Sequence, residues 1–477
     1  MRFLIKNIKK KQLNNIIYAI VQLFMLFFIY LIIDIQDKGV QIQFDLIIAT
    51  IVYLFNFMIN TDNFKEVDAF YWFIGLTYVF YFGQHIVYFL AGNSALPIFR
   101  NMLDVENIKV CDFYTIFGVS SLQLGYFISK FVSIEGFLCC AKYNKNITEI
   151  SNSLVQRYAF RLIFVFIVPS FFYYFNKIKD TISLGYSATI SNEAYTGGFL
   201  NILSGFMVPL FILLFLSIKK RYFNYIMLLM CYFAMVLFSG TRIQLISLGI
   251  TLLYIAIRKG LIKTQGFIKI FRMIICIFIF GVGLNLLSYV RSGGNLLNIL
   301  SYFEYFNENN VFYSMLTETG YTGFVNMVVI SLSGNNVAFV SGLSYLTGII
   351  YVIPNVLTVP LIGDFFFNTD MVFKSYITEY GGVGSSFVAE SFFNFGWGGL
   401  LLLFILGYIF GNIISQMNKA IDNDDALNGF LPIYSFSMII FFVRSDTVTF
   451  FRNYVWFGLT LYFLFRYLVS RKMNLSK

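Results

Sequence analysis

Residues 381–399 read GGVGSSFVAESFFNFGWGG, and the apolar run they open continues to about Phe410. Gly381, Gly382 and Gly384 permit a tight turn, and Ser385-Ser386 supplies a side-chain oxygen to cap the first amides of a helix. The stretch therefore predicts a loop feeding the N-terminus of a long apolar helix. Ser386, Glu390 and Asn394 follow at i, i+4 and i+8 and share one face. A carboxylate on such a helix is costly in lipid, so this face is expected to turn inward. Taken alone, the stripe fits a serine cap and a buried glutamate paired with an arginine. Beside arginines gathered on the same surface, it fits a site for a polar substrate at a membrane face.

The rest of the chain sets that helix in a membrane. Of 477 residues, 58% are hydrophobic and 12% charged, and the mean hydropathy is +0.74. Apolar runs of about twenty residues, each long enough to span a bilayer, recur from end to end. The expected fold is an all-α, polytopic integral membrane protein of about twelve transmembrane helices with one long outer-face loop. Spans are expected at Asn15–Ile33, Phe44–Ile59, Ala69–Leu90, Phe113–Phe131, Phe160–Phe175 and Phe199–Ile218, then at Tyr222–Phe238, Ile243–Ile257 and Met273–Val290. After the loop from 291 to 384 come Phe387–Ile413, Pro432–Val443 and Tyr454–Leu468. Within the loop, residues 337–363 are apolar, but Pro354, Pro360 and several glycines argue for a short or re-entrant element over a clean span.

The net charge of +10 is read as topology, not as an interface for nucleic acid. With the basic N-terminus MRFLIKNIKKK inside and its apolar run retained as the first span, most of the 34 Lys and Arg fall on the cytoplasmic side. Both termini are then cytoplasmic and the long loop faces outward. The five cysteines have no metal-site spacing, and a single histidine excludes any mechanism needing two. No metal and no cofactor is expected. His85 sits in the outer half of the third span and is expected to be a hydrogen-bonded packing residue.

In this topology four arginines meet the GGVGSS turn on the outer face. Arg242 closes FSGTR, Arg291 lies in YVRSGG, and Arg444 and Arg452 bound RSDTVTFFR. Each could snorkel to lipid headgroups or pair with an acid such as Asp446. As a set they oppose the positive-inside rule, and guanidinium forks grip phosphate oxygens in pairs. They are expected to bind an anionic lipid, with diphosphate the natural guess and Ser385, Ser386 and the amides of that helix start as added donors. Transfer of a glycan to a hydroxyl needs a general base beside that hydroxyl and positive charge on the departing phosphate. Glu390, which would orient the site or act as base, and Glu379, its rival, are the carboxylates expected to serve.

The SGTR junction at 239–242, the long outer loop and GGVGSSFVAESFFNFGWGGL at 381–400 resemble the Wzy-type O-antigen polymerases, which join oligosaccharide repeat units. The resemblance implies an inner-membrane enzyme that works at the periplasmic face without metal or nucleotide sugar. It would transfer the growing glycan from undecaprenyl diphosphate to an incoming lipid-linked repeat unit, with inverting chemistry. Arg242 would match the family's outer-face arginines, and Arg291, Arg444 and Arg452 would do so more loosely. Related O-antigen ligases use a loop histidine, which is missing here. The chain would divide into a membrane bundle (1–290), a large periplasmic loop (291–385) and C-terminal membrane helices (386–477). Its partners would be undecaprenyl-diphosphate-linked oligosaccharide and membrane lipid, with a chain-length regulator protein as a candidate and nucleic acid excluded. The rival reading is a flippase or exporter of the same lipid-linked glycan, with arginines along a central cavity. A membrane acyltransferase fits less well, since such enzymes commonly use a histidine base.

Overall fold

The computed structural model describes residues 2–60, 68–92, 104–132, 145–184, 198–218, 223–239, 242–261, 311–353 and 385–474. Every regular element among them is helical. In order these are α1 (Arg2–Ile32), α2 (Lys38–Asn60), α3 (Ala69–Ala91), α4 (Val105–Phe131), α5 (Lys145–Leu184), α6 (Phe199–Gly205) and α7 (Met207–Ser217). There follow α8 (Phe223–Phe238), α9 (Arg242–Arg258), α10 (Val311–Leu332), α11 (Leu343–Ile350), α12 (Phe387–Phe395) and α13 (Gly399–Asp422). The chain closes with α14 (Ala426–Phe442), α15 (Thr447–Asn453), a π turn at Tyr454–Leu459, and α16 (Thr460–Asn474). Six stretches are long and apolar enough to cross a membrane, namely Gln12–Ile32, Lys38–Phe57, Ala69–Ala91, Glu149–Asp180, Phe199–Ser217 and Phe387–Asp422. Shorter apolar helices at Tyr225–Leu237, Ile243–Arg258 and Ala426–Phe442 complete a polytopic all-α membrane fold. The ninth expected span, Met273–Val290, lies outside the described residues.

Burial separates lipid-facing helices from central ones. Phe24, Met25, Phe28 and Leu31 of α1 are exposed, as a helix bathed in lipid requires. The α4 helix is the opposite case. Asp112, Thr115, Ser120, Ser121 and Gln123 lie buried along it, shielded by α1, α2, α10 and α13. Its closest neighbour is α13, and small residues make that approach possible. A Cβ on Gly407 would fall on the carbonyl of Leu122, and one on Gly125 on the carbonyl of Phe404.

The loop, expected to contain short or re-entrant helices, does contain helices, and the unbroken helix expected after it is corrected. The region 291–384 holds a 22-residue helix, α10, packed along α3 and α4. Gly83 and Gly320 face each other there with no room for side chains. Of the segment 337–363, the described part forms only the eight-residue α11, too short to cross a bilayer. The span expected at Phe387–Ile413 is two helices. Gly396, at φ +56°, takes a left-handed conformation that favours glycine and breaks the run between α12 and α13.

The bundle has two distinct ends. At one, Arg258 forks onto Asp422 (2.8 and 2.7 Å), Lys259 meets Asp424 (2.8 Å) and Lys130 meets Asp68 (2.9 Å). The other end carries the start of α9, the end of α14 and the elements of the candidate site.

Candidate functional site

Ser386 caps α12 by accepting a hydrogen bond from the Ala389 amide (3.1 Å), and its hydroxyl donates to Asn326 Oδ1 of α10 (2.5 Å). Ser385 beside it is also buried. Ser386, Glu390 and Asn394 are 0%, 1% and 1% exposed, so the polar stripe does face inward.

Glu390 is the hub of that stripe. Its Oε1 accepts from Ser344 Oγ of α11 (2.7 Å). Its Oε2 accepts from both the amide (2.9 Å) and the hydroxyl (2.7 Å) of Thr447, the first residue of α15. Asn394 braces the arrangement, donating from Nδ2 to Ser344 Oγ (2.8 Å) and to the Glu390 carbonyl (2.7 Å). One carboxylate thus joins three segments far apart in sequence. A buried carboxylate needs such donors, and three of them, two from one residue, hold it in place. The expected arginine partner is replaced by hydroxyls and an amide.

Across α15 the chemistry changes. Asp446 caps this seven-residue helix by accepting from the Thr449 amide (2.7 Å). Arg452, near its far end, lies over the Trp456 ring, 5.7 Å from the centroid, and Trp456 Nε1 donates to the Val352 carbonyl just beyond α11 (2.7 Å). The Arg452 side chain borders a cavity of about 240 Å³. Asn201 and Ser204 of α6, Gln244 and Ser247 of α9, and Tyr434 of α14 form other walls. Phe457 underlies it, with its ring against Gly205 where α6 gives way to α7.

The expected site residues therefore divide. Glu390, Arg444 and Arg452 gather around α15, while Ser385 and Ser386 sit deeper, beside Phe387, whose ring meets Phe73 near the start of α3. Arg444, half-buried in the turn before α15, donates to the Glu318 carbonyl of α10 (3.5 Å). Arg242 opens α9, whose Gln244 and Ser247 line the cavity. Arg291 and Glu379 lie outside the described residues. His85 is buried and bonded through Nε2 to Asp112 Oδ2 (2.9 Å), the packing role expected of it.

Sequence reading missed the polar partners, namely Ser344 and Thr447 around the carboxylate, and Asn201, Gln244 and Asn453 around the cavity. A signal existed for two of them. Gln244 follows SGTR by two residues, and Asn453 follows Arg452 directly, each an amide at the mouth of an apolar run.

No curated protein and no solved structure matches the chain. The family described as O-antigen polysaccharide polymerase Wzy has a model that matches residues 15–477, nearly the whole length, and the chain belongs to that family.

Proposed function

We propose that this protein lengthens a glycan at the outer face of the bacterial inner membrane, with both of its termini in the cytoplasm. The growing chain passes from undecaprenyl diphosphate to an incoming lipid-linked repeat unit, with inversion at the transferred sugar and without a metal. Family membership makes the chain an O-antigen polymerase acting on lipid-linked repeat units in the membrane. The finer reading rests on one observation. A single short helix, α15, has its first residue held by Glu390 and carries Arg452 to a cavity of mixed polar and apolar lining.

In this reading Arg452, with Arg242, Arg444 and Arg291, holds the diphosphates. Guanidinium N–H groups neutralise the charge that gathers on the departing phosphate. Ser385 and Ser386, at the start of α12, are further candidates for the diphosphate, and Glu390 keeps α15 and its arginine in register. Glu379 is the candidate to take the proton from the acceptor hydroxyl. The bond from the transferred sugar to diphosphate breaks as its bond to the acceptor oxygen forms.

The test is purified protein in liposomes given lipid-linked repeat units and no ion gradient. Chain lengthening is the expected result, and Arg242→Ala should leave single repeats on the carrier at unchanged protein level. Transport of the lipid without lengthening would instead support a flippase.

A further inference from the structure

We infer that the cavity beside Arg452 is a subsite for one sugar ring and the phosphate attached to it, the carrier-proximal end of a lipid-linked glycan. The inference rests on the polymerase reading only for the identity of the carrier.

Size is the first argument. At about 240 Å³ the cavity falls below the roughly 300 Å³ at which pockets for drug-sized ligands begin. One ring with its phosphate fills that volume, and further sugars would lie outside it.

Lining chemistry is the second. Asn201, Gln244 and Asn453 contribute amides, which both donate and accept, while Tyr434 and Trp456 contribute aromatic surface. A pyranose presents hydroxyls around its edge and C–H groups on its faces, so it needs both kinds of wall. Ser204 and Ser247 already donate their hydroxyl protons to the carbonyls of Asn201 (2.8 Å) and Gln244 (3.0 Å). What they offer a ligand is lone pairs, suited to sugar hydroxyl donors.

Charge is the third. Among the described residues the lining holds one cation, Arg452, and no carboxylate. An anion is therefore accepted, and no group among the described lining residues takes a proton from an attacking hydroxyl. The cavity recognises, and bond exchange happens outside it. Arg452 lies over the Trp456 ring, 5.7 Å from its centroid, a cation–π contact that leaves the guanidinium fork suited to one phosphate.

A glycerophospholipid headgroup is also a polyol phosphate, so the test separates the two sources. Full-length protein with Trp72 and Trp397 changed to Phe, leaving Trp456 as reporter, is placed in phosphatidylcholine nanodiscs. It is titrated with polyprenyl diphosphate bearing one hexose, with bare polyprenyl diphosphate, with the complete lipid-linked repeat unit and with phosphatidylglycerol. The one-sugar lipid should bind about tenfold tighter than the bare diphosphate, and the complete unit no more than about twofold tighter again. Gln244→Ala and Asn201→Ala should bring the one-sugar preference to within about twofold, while Arg452→Gln weakens every diphosphate alike.

Equal affinity for sugar-bearing and bare lipid overturns the inference. So does phosphatidylglycerol competing as well as the one-sugar lipid, which would mark a resident headgroup. The ranking of lipids by the reporter protein with its cavity intact decides the matter even if a cavity variant fails to fold. Chain lengthening is scored separately. Ranking without lengthening removes the polymerase reading and leaves the subsite, whereas lengthening without ranking removes the subsite alone.

Discussion

The Asp422, Asp424 and Asp68 pairs at one end of the bundle and the surroundings of Glu390 and Arg452 treat charge differently. At the far end acids and bases cancel in pairs, with Arg258 on Asp422, Lys259 on Asp424 and Lys130 on Asp68. At the near end the Glu390 carboxylate is met by hydroxyls and an amide, and the Arg452 guanidinium by an indole ring. Matched pairs tie helices together but leave little for a ligand. A cation held by a ring keeps its N–H groups for an incoming anion. The difference separates a scaffold from a binding surface, and helix α9, about 25 Å long, runs from one to the other.

The largest expected effect falls on Arg452. Replacing it by Ala should abolish polymer and leave single-repeat glycans on the lipid, with protein level unchanged on immunoblots. Arg452→Lys should recover little, because a point charge does not fork onto phosphate. Full-length polymer in the alanine variant would remove the contrast between the two ends.

Next in size is a packing test that places the scaffold in the α4–α13 contact. Gly407→Ala sets a methyl against the Leu122 backbone, which cannot yield as a side chain can. The cost is about 1–3 kcal/mol or more, seen as lost folded protein in detergent. Gly75→Ala on α3 meets nothing within 4 Å and should gain about 0.5–1 kcal/mol from helix propensity. Equal tolerance of both changes would show that the α4–α13 approach is not tight.

How far these features were legible in sequence depends on the residue. The inward stripe Ser386, Glu390, Asn394 was readable because three polar side chains at helical spacing in an apolar run have one place to go. The break at Gly396 was not, since FNFGWGG is as apolar as the run around it and only the backbone angle marks the turn. The α10 helix was lost in the loop because Glu318, three threonines and two glycines dilute its hydropathy. Those same small residues are what let it press on α3, so the trait that hid the helix is the one that packs it. Partners of Glu390 lie 46 and 57 residues away, beyond any local pattern.

Glu390 gives an intermediate effect that sharpens the comparison. Glu390→Gln keeps the shape but removes the charge from the bonds that Thr447 donates and turns the other acceptor into a donor facing the Ser344 hydroxyl. That mismatch should cost about 2 kcal/mol, read as a lower melting temperature. Thr447→Val should lower it as well, and the double variant should lose less than the sum, since both changes break one contact. Turnover lost at an unchanged melting temperature would instead make this carboxylate the proton acceptor.

The smallest effect belongs to the far end. Burial alone would push the Asp68 carboxyl up, but attraction to Lys130 and hydrogen bonds from Tyr126 and Lys130 outweigh it and hold it below the usual carboxylate range. A carboxyl depressed in the folded state contributes stability that is complete above its unfolded value, about 3.9. That contribution fades as pH falls through the lower, folded value. Solvent reaches the pair, so about 1 kcal/mol is at stake. Melting curves should show the wild type losing this increment below about pH 4. Asp68→Asn should start lower at neutral pH and lack that component of the slope. Parallel curves for the two proteins would mean that the Lys130 pair does not stabilise the scaffold, and the far end would lose the feature that sets it apart.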